Sequence, residues 1–362
     1  MAQETGKRKA DHIRICLEQK AQAKKATAGF EDVQLVHRAL PEVDREKISL
    51  STSFLGKKLS APLIVGAMTG GTKEAIKINA SIAQDVENLH LGMGVGSQRA
   101  AIEDRKLEST YAISRRKAPT AFLIANIGGV QLAHGYGLKE ARKAIEMIDA
   151  DALAIHLNAL QEAVQPEGQT NFKGVLAQIA EIAGELDKPV IVKETGCGVS
   201  AEDAKALESA GVKAIDVGGV GGTSFAAVEY YRSTNGKTMG EAFWDWGIPT
   251  VVSLIETVQT VKIPVLVSGG VRSGLDIAKS LALKASLASV SQPVLEAAVK
   301  GATETQELLS CLIDELRNAM FLVGAQNVDA QSKVPLVING KTAHWLSTRG
   351  FDIQVYAQRG AR

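Results

Sequence analysis

With 362 residues, 45% of them hydrophobic, the chain has enough apolar material for one large barrel with extensions or two ordinary domains. Its 41 Lys+Arg against 40 Asp+Glu leave a net charge of +1, so no global basic field speaks for nucleic acid or an anionic membrane, and any anion must be held locally. Three scattered cysteines (Cys16, Cys197, Cys311) form no CxxC or Cys/His cluster, which fits a reducing cytosol and argues against a disulfide framework or a structural zinc.

In chain order, residues 1–11 are polar and basic with no apolar run behind them, so no secretory signal is expected. No stretch reaches the ~20 apolar residues that span a bilayer, and a soluble, cytoplasmic protein is the expectation. Residues 1–61 form an extension: a basic helix-prone stretch, strand candidates near 33–36 and 48–54, and Gly56 as a turn before Leu59. A small hairpin capping the N-terminal end of a barrel follows from that pattern.

From residue 62 a short apolar run, a Gly-rich or polar turn and an amphipathic helix recur. The runs are 62–67 (PLIVGA), 91–95 (LGMGV), 121–126 (AFLIAN), 152–157 (ALAIHL), 189–193 (PVIVK), 214–217 (AIDV), 264–268 (PVLVS) and 285–290 (ASLASV). Continuous apolar runs suit parallel strands buried on both faces, and eight βα units point to a (β/α)₈ TIM barrel over 62–330; a doubly wound open sheet is the alternative. The competing run 248–254 reads as a turn into a helix over 251–261, because Pro249 suits a helix start. The long segment 219–247 carries Phe225, Tyr230, Tyr231, Phe243, Trp244 and Trp246, read equally as a lid or as a satellite cluster. A periodic stretch from 304 to about 328 reads as a closing helix, and 331–362 as a tail packing on the barrel.

Polar residues at the C-terminal ends of barrel strands are the first candidates for function. The first seven strands each supply some: Met68-Thr69-Gly70-Gly71, Gly96-Ser97-Gln98-Arg99, Asn126, His156 with Asn158, Gln161 and Glu162, Lys193-Glu194, Gly221-Gly222-Thr223-Ser224, and Gly269-Gly270-Val271-Arg272. The glycine turn with Arg272 before a helix from about Leu275 is what a phosphate cradle requires. Lys193, ending a buried strand, needs an anionic partner: a flavin edge, or an internal pair with Glu194 or Glu162. Arg99 and the Arg8-Lys9 pair can clamp a diphosphate, although Arg8-Lys9 by itself reads as a solvated charge run. Glu162 reads as a Mg²⁺ ligand or a solvated loop carboxylate, and His156 as an oriented hydrogen-bonding group or an acid/base.

Together RKADHI (8–13), MTGG (68–71), GSQR (96–99), HLNALQE (156–162), VKE (192–194), GGTS (221–224) and SGGVRSGLD (268–276) resemble the motif set of type 2 isopentenyl-diphosphate isomerases over essentially the whole chain. The resemblance implies interconversion of isopentenyl and dimethylallyl diphosphate with reduced FMN and Mg²⁺, NADPH as external reductant, and a homo-oligomer, tetramer or octamer. It implies FMN contacts from Ala67, Met68, Thr69, Ser97, Asn126, Lys193, Thr223, Gly270, Val271 and Arg272, and a metal contact from Glu162. Substrate contacts are implied for Arg8, Lys9, Ser97, Gln98, Arg99 and Gln161, with His12, His156 and Asn158 near the substrate. Around strand eight the chain departs from the pattern: Lys284 and Ser289 replace Gly, Ser291 and Gln292 stand near the FMN phosphate, and Gly218 replaces a Ser. A Gln amide is a poor proton donor near neutrality, so flavin N5 is expected to handle protons while Gln161 orients or relays. The rival readings are an FMN-dependent oxidoreductase of the hydroxy-acid oxidase kind, which wants a His base where Ser268-Gly269-Gly270 stands, and a non-catalytic flavin- or phosphate-binding barrel. A dehydrogenase with a nucleophilic Cys after strand six is disfavoured, since Cys197 follows strand five.

Overall fold

The computed structural model describes residues 2–232 and 237–360; of the 219–247 segment, residues 233–236 lie outside the described residues, as do 361–362 of the tail. Eight parallel strands close into a barrel: β1 Leu63–Val65, β2 Gly92–Gly94, β3 Phe122–Gly128, β4 Ala152–Leu157, β5 Val190–Glu194, β6 Ala214–Asp216, β7 Val265–Val267 and β8 Leu287–Val290. Closure is direct, since β8 pairs in parallel with β1 through Ala288↔Leu63 and Val290↔Val65. The open-sheet alternative is thereby excluded. The eight predicted runs are the eight strands, and residues 250–260 form a helix, not a strand.

The continuous apolar runs split by parity, because successive strand side chains face opposite sides. Ile64, Phe122, Ile124, Ala152, Ala154, Ile191, Ala214, Leu266 and Leu287 fill the barrel, while Leu63, Val65, Leu123, Leu153, Ile155, Val192 and Ile215 pack outward against the helices. The hairpin of Thr52–Phe54 and Lys57–Leu59 turns through Gly56, whose φ of 83° favours glycine. It inserts Phe54 and Leu59 into the inner cluster, with Phe54 edge-on to Phe122, and plugs the N-terminal end. Each of these two side chains contributes roughly 1.5–3 kcal/mol by burial.

The strand Val33–Leu35 pairs antiparallel with Leu336–Ile338 of the tail. One expectation, the extent of the closing helix, changes in detail. The closing helix is one helix, Ala302–Leu322, which ends before Gly324 with its φ of 73° and so falls short of residue 328; a separate helix, Gln292–Lys300, precedes it. The tail helix Gly340–Thr348 lies on the helix Thr250–Thr260, where Trp345 Nε1 and Arg349 Nε bond Glu256 at 3.0 and 3.2 Å. Among the described residues no helix is long and apolar enough to cross a membrane.

Candidate active site

The parity that fills the barrel also builds the site. The next inward position beyond each strand's last inward residue is Gly66, Gly96, Asn126, His156, Lys193, Asp216, Ser268 and Ser289 for β1 to β8, and all eight line one cavity of about 280 Å³. Side-chain direction therefore places them together, whatever their distance in sequence. The N-terminal helix Ala2–Glu18 lies over the mouth, lining the same cavity with Arg8, Lys9, His12, Ile13 and Cys16.

One wall is an anion seat. Gly269 and Gly270 adopt φ of 98° and 79° after β7, and a Cβ on Gly270 would stand 2.6 Å from Gly221 O. Ser273 caps the helix Gly274–Ala282, its hydroxyl accepting from Asp276 N while Asp276 accepts from Ser273 N. Ser291 precedes the helix Gln292–Lys300 and gives it no side-chain cap, so its first N–H groups stay available. Between them, Arg272 donates through Nη1 to Val271 O at 3.3 Å, while its buried Nη2 has no partner. Burial pulls this guanidinium below its usual range, against the opposing pull of the Glu296 and Asp276 carboxylates. A buried, unpaired donor beside two helix N-termini calls for an anion.

The centre is a polar ring. Asn126 Nδ2 donates to Val95 O at 3.0 Å, which fixes its amide so that Oδ1 accepts from His156 Nδ1 at 2.9 Å. Nδ1 of His156 is thus the protonated nitrogen. Burial, then the Lys193 and Lys9 charges, pull this imidazole down to about 3, so it is neutral at physiological pH. Lys193 donates to Glu194 O at 2.9 Å; neither Glu194 nor Glu162 pairs with its ammonium among the described residues. Asp216 accepts from Ser268 Oγ at 2.6 Å, and burial raises its pKa, against the Lys193 charge. Burial pushes Glu194 up to about 7, opposed by the amide bond from Cys197 N and the Lys193 charge. Burial, then the Glu194 charge, push the Cys197 thiol far up, which disfavours its thiolate.

After β4, Asn158 opens the helix Ala159–Val164 and donates through Nδ2 to Gln161 Oε1 at 3.1 Å and Glu162 Oε1 at 3.0 Å. Glu162 is buried, its other oxygen accepting from Gln165 Nε2 at 2.6 Å and Gln169 N at 2.8 Å. It is not a solvated loop carboxylate. Among the described residues no cluster of three or more His, Cys, Asp or Glu surrounds it, so it is the lone carboxylate that this helix offers a metal.

The N-terminal helix is fastened by alternating charges. His12 Nε2 meets Glu229 Oε1 at 3.0 Å, Glu229 accepts from Arg232 Nε at 2.6 Å, Arg232 donates to Glu167 at 2.6 Å, and Arg8 stands 3.9 Å from Glu167. Apolar packing backs this: Ile15 and Ala21 share a buried cluster with Ala227, Val228 and Trp244, whose Nε1 donates to Gln22 O at 2.8 Å. The aromatic segment is therefore the support for this helix; its Phe225 alone of the six aromatics reaches the cavity, beside His12. Arg8 and Lys9 are cavity residues, not a solvated run.

Nearly all the sequence-predicted residues meet here: Ala67, Met68, Thr69, Ser97, Asn126, Lys193, Thr223, Gly270, Val271, Arg272, Ser291 and Gln292 on the proposed cofactor side, and Arg8, Lys9, His12, Arg99, His156, Asn158, Gln161 and Glu162 with them. Arg99 is paired with Glu103 at 2.7 Å. Gln98 is the correction. Its side chain is fully buried in the wall, donating to Ala144 O at 2.8 Å and accepting from Asn126 N at 2.8 Å, so it holds β3 in place and does not face the cavity. Asp216 and Gln165 also line the cavity and were not singled out in the sequence; Asp216 follows from strand parity, as do Ser268 of the glycine turn and Ser289 of strand eight, whereas Gln165 has no sequence signal.

Residues 1–113 and 139–336 match the family model of FMN-dependent dehydrogenases. The chain is 50% identical to the isopentenyl-diphosphate delta-isomerase of Methanosarcina barkeri, covering 99% of each chain, and 48% identical to that of Methanothermobacter thermautotrophicus, covering 97% of this chain and 99% of the relative. The enzyme of that name from Pyrococcus furiosus is 48% identical over 98% of this chain and 92% of its own. Among solved structures, mandelate oxidase superposes with a TM-score of 0.61 at 19% identity, covering 93% of this chain and 98% of that one, a likeness of fold.

Proposed function

The chain belongs to the FMN-dependent dehydrogenase family and, within it, to the isopentenyl-diphosphate delta-isomerases, and from that premise we propose that its cavity holds FMN against the strand tips and the diphosphate substrate under the N-terminal helix. The reaction moves a C=C bond: one proton is added to the terminal carbon of isopentenyl diphosphate and one is lost from C2, with no net redox change. The residues fit the cofactor. The unpaired Arg272 Nη2, the Gly269-Gly270 turn and the hydroxyls of Ser289 and Ser291 would hold its phosphate; a Cβ on Gly66 would stand 2.2 Å from Ser291 Oγ. Thr69, whose buried Oγ1 has no partner, with Asn126, Lys193 and Thr223, would hold the ring. Bound reduced FMN supplies an electron-rich ring that stabilises positive charge developing at the tertiary carbon.

The chain's own groups bind, orient and shield the substrate. Arg8, Lys9 and Arg99 bind the diphosphate, and the helix that carries the first two excludes water. Glu162 takes Mg²⁺ alongside the phosphates, an ion content with one or two carboxylates and several waters. His156, neutral and tied to Asn126, orients and does not donate a proton. Gln161 has Oε1 occupied by Asn158 and Nε2 free among the described residues, which suits it to orient or relay. NADPH as reductant, a cytoplasmic setting, a homo-oligomeric state (tetramer or octamer) and the lack of nucleic-acid or membrane partners belong to the same reading. Free cysteines support the reducing setting, and the net charge of +1 the lack of such partners.

The observation that carries the reading is the meeting of all eight inward strand tips with Arg272, whose Nη2 has no partner, and the Arg8-Lys9 helix in one cavity. The purified protein should be yellow and, once reduced, convert isopentenyl diphosphate to an acid-labile dimethylallyl product. The hydroxy-acid oxidase alternative would instead consume mandelate; Ser268, donating to Asp216, stands where that chemistry needs its base.

A further inference from the structure

The structure assigns a positioning role to Tyr111: its hydroxyl fixes the Lys9 ammonium and the Ser97 carbonyl in one hydrogen-bonded knot, which aims Lys9 at the diphosphate of the substrate. This rests on the reading above. Tyr111 lies on the helix Ser109–Lys117, outside every motif of the sequence reading, and is fully buried. Its hydroxyl donates to Ser97 O at 2.6 Å and accepts from Lys9 Nζ at 2.6 Å; Lys9 donates again to Ser97 O at 2.6 Å.

The ring is held by the turn after β1. A Cβ on Gly70 would stand 2.0 Å from Tyr111 Cε1, and one on Gly71 3.2 Å from its hydroxyl and 3.4 Å from Lys9 Nζ. Gly71 N donates to Thr110 Oγ1 at 2.8 Å, and Asn79 Nδ2 to Thr110 O at 3.0 Å, so the turn and this helix are bound as a unit. An ammonium has three N–H donors. Two of those on Lys9 go to Ser97 and Tyr111, and the third is left for a ligand oxygen at the cavity that Lys9 lines. Tyr111 does not itself line that cavity, so it acts through Lys9. Burial keeps the phenol protonated, able to give its one proton to Ser97 and to accept from Lys9.

Tyr111→Phe keeps the ring under Gly70 and removes only the hydroxyl. Loss of a hydrogen bond to a charged group lowers ligand affinity about tenfold or more. The reduced holoenzyme variant should show KM for isopentenyl diphosphate raised about tenfold with kcat within about twofold and FMN content unchanged. By calorimetry, its affinity for inorganic pyrophosphate should fall by the same factor, a readout that holds even if the isomerase reading fails. In a Lys9→Met background Tyr111→Phe should cost nothing further, since its effect passes through the ammonium. Wild-type KM and pyrophosphate affinity in Tyr111→Phe would overturn the assignment, as would a full, additive loss on top of Lys9→Met. Should Tyr111→Phe fold poorly by circular dichroism, Gly71→Ala provides the second variant: at a φ of 82° and with its Cβ 2.9 Å from Ala100 Cβ and 3.2 Å from the Tyr111 hydroxyl, the turn must shift against the knot, and unchanged pyrophosphate affinity there would count against the role.

Discussion

Replacing Arg272 by methionine tests the anion seat from both sides. In the protein without FMN, Nη2 is buried with no partner and the guanidinium is held below its usual pKa by burial, so this side chain is a liability until an anion arrives. An unsatisfied buried donor costs about 1–3 kcal/mol, more when charged, so Arg272→Met should raise the apo-protein's stability by an amount of that order. With FMN bound the sign reverses. The lost charge-assisted bonds to the phosphate are worth about 1.5–3 kcal/mol, roughly 10- to 150-fold in Kd. Fluorescence titration should show that loss for FMN and almost none for riboflavin, which lacks the phosphate, while thermal unfolding shows apo stabilised and holo destabilised. Equal losses for FMN and riboflavin would refute the assignment, because Arg272 would then be acting on the ring or on the fold.

Lys9 sets a pH dependence. Burial, with the Arg8 charge beside it, pulls Lys9 down to about 7, so the empty site loses that proton above pH 7 and a bound diphosphate takes it back. KM should rise by up to about tenfold per pH unit above 7 in the wild type and stay flat in Lys9→Met, as measured by initial rates. For stability the depressed pKa works the other way: Lys9's contribution is present above its unfolded pKa near 10.5 and is lost as pH falls through 7, a trend that apo-protein unfolding should show and Lys9→Met should lack. His156, held down to about 3, should place no inflection near pH 6.5 on kcat. His156→Gln should therefore lose less than the roughly 10²–10⁴-fold expected of a general acid or base, as steady-state kcat will show. Glu162→Gln should raise the Mg²⁺ concentration for half-maximal activity at least about tenfold in a metal titration and leave FMN content unchanged, since the amide lacks the charge that binds a hard cation.

Most of the fold was written in the apolar runs, because parallel strands buried on both faces leave continuous Val/Ile/Ala segments that few other structures tolerate. The same runs concealed which tips face inward. Parity supplies that: Ala214 and Leu266 face the barrel interior, so Asp216 and Ser268 must follow them into the cavity. The resemblance implied a substrate contact from Gln98, but its amide serves Ala144 and Asn126 inside the wall. Long-range pairings had no local signal. Nothing near Val33 announces Ile338 as its partner, and nothing near Lys9 announces Tyr111, 102 residues on. The placement of Arg8 and Lys9 likewise needed tertiary anchors: the Glu229–Arg232–Glu167 chain, the Trp244 cluster and the bonds of Lys9 to Ser97 and Tyr111 turn a basic run into a wall of the cavity.

The central claim is double-bond transposition by proton exchange at this cavity without oxidation. Anaerobic turnover of isopentenyl diphosphate by the reduced holoenzyme in D₂O, followed at once by NMR and by the flavin absorbance, tests it most directly. Deuterium should enter the methyl group of dimethylallyl diphosphate over many turnovers while the flavin stays fully reduced. Product free of solvent deuterium, or flavin oxidised in step with product, would contradict it.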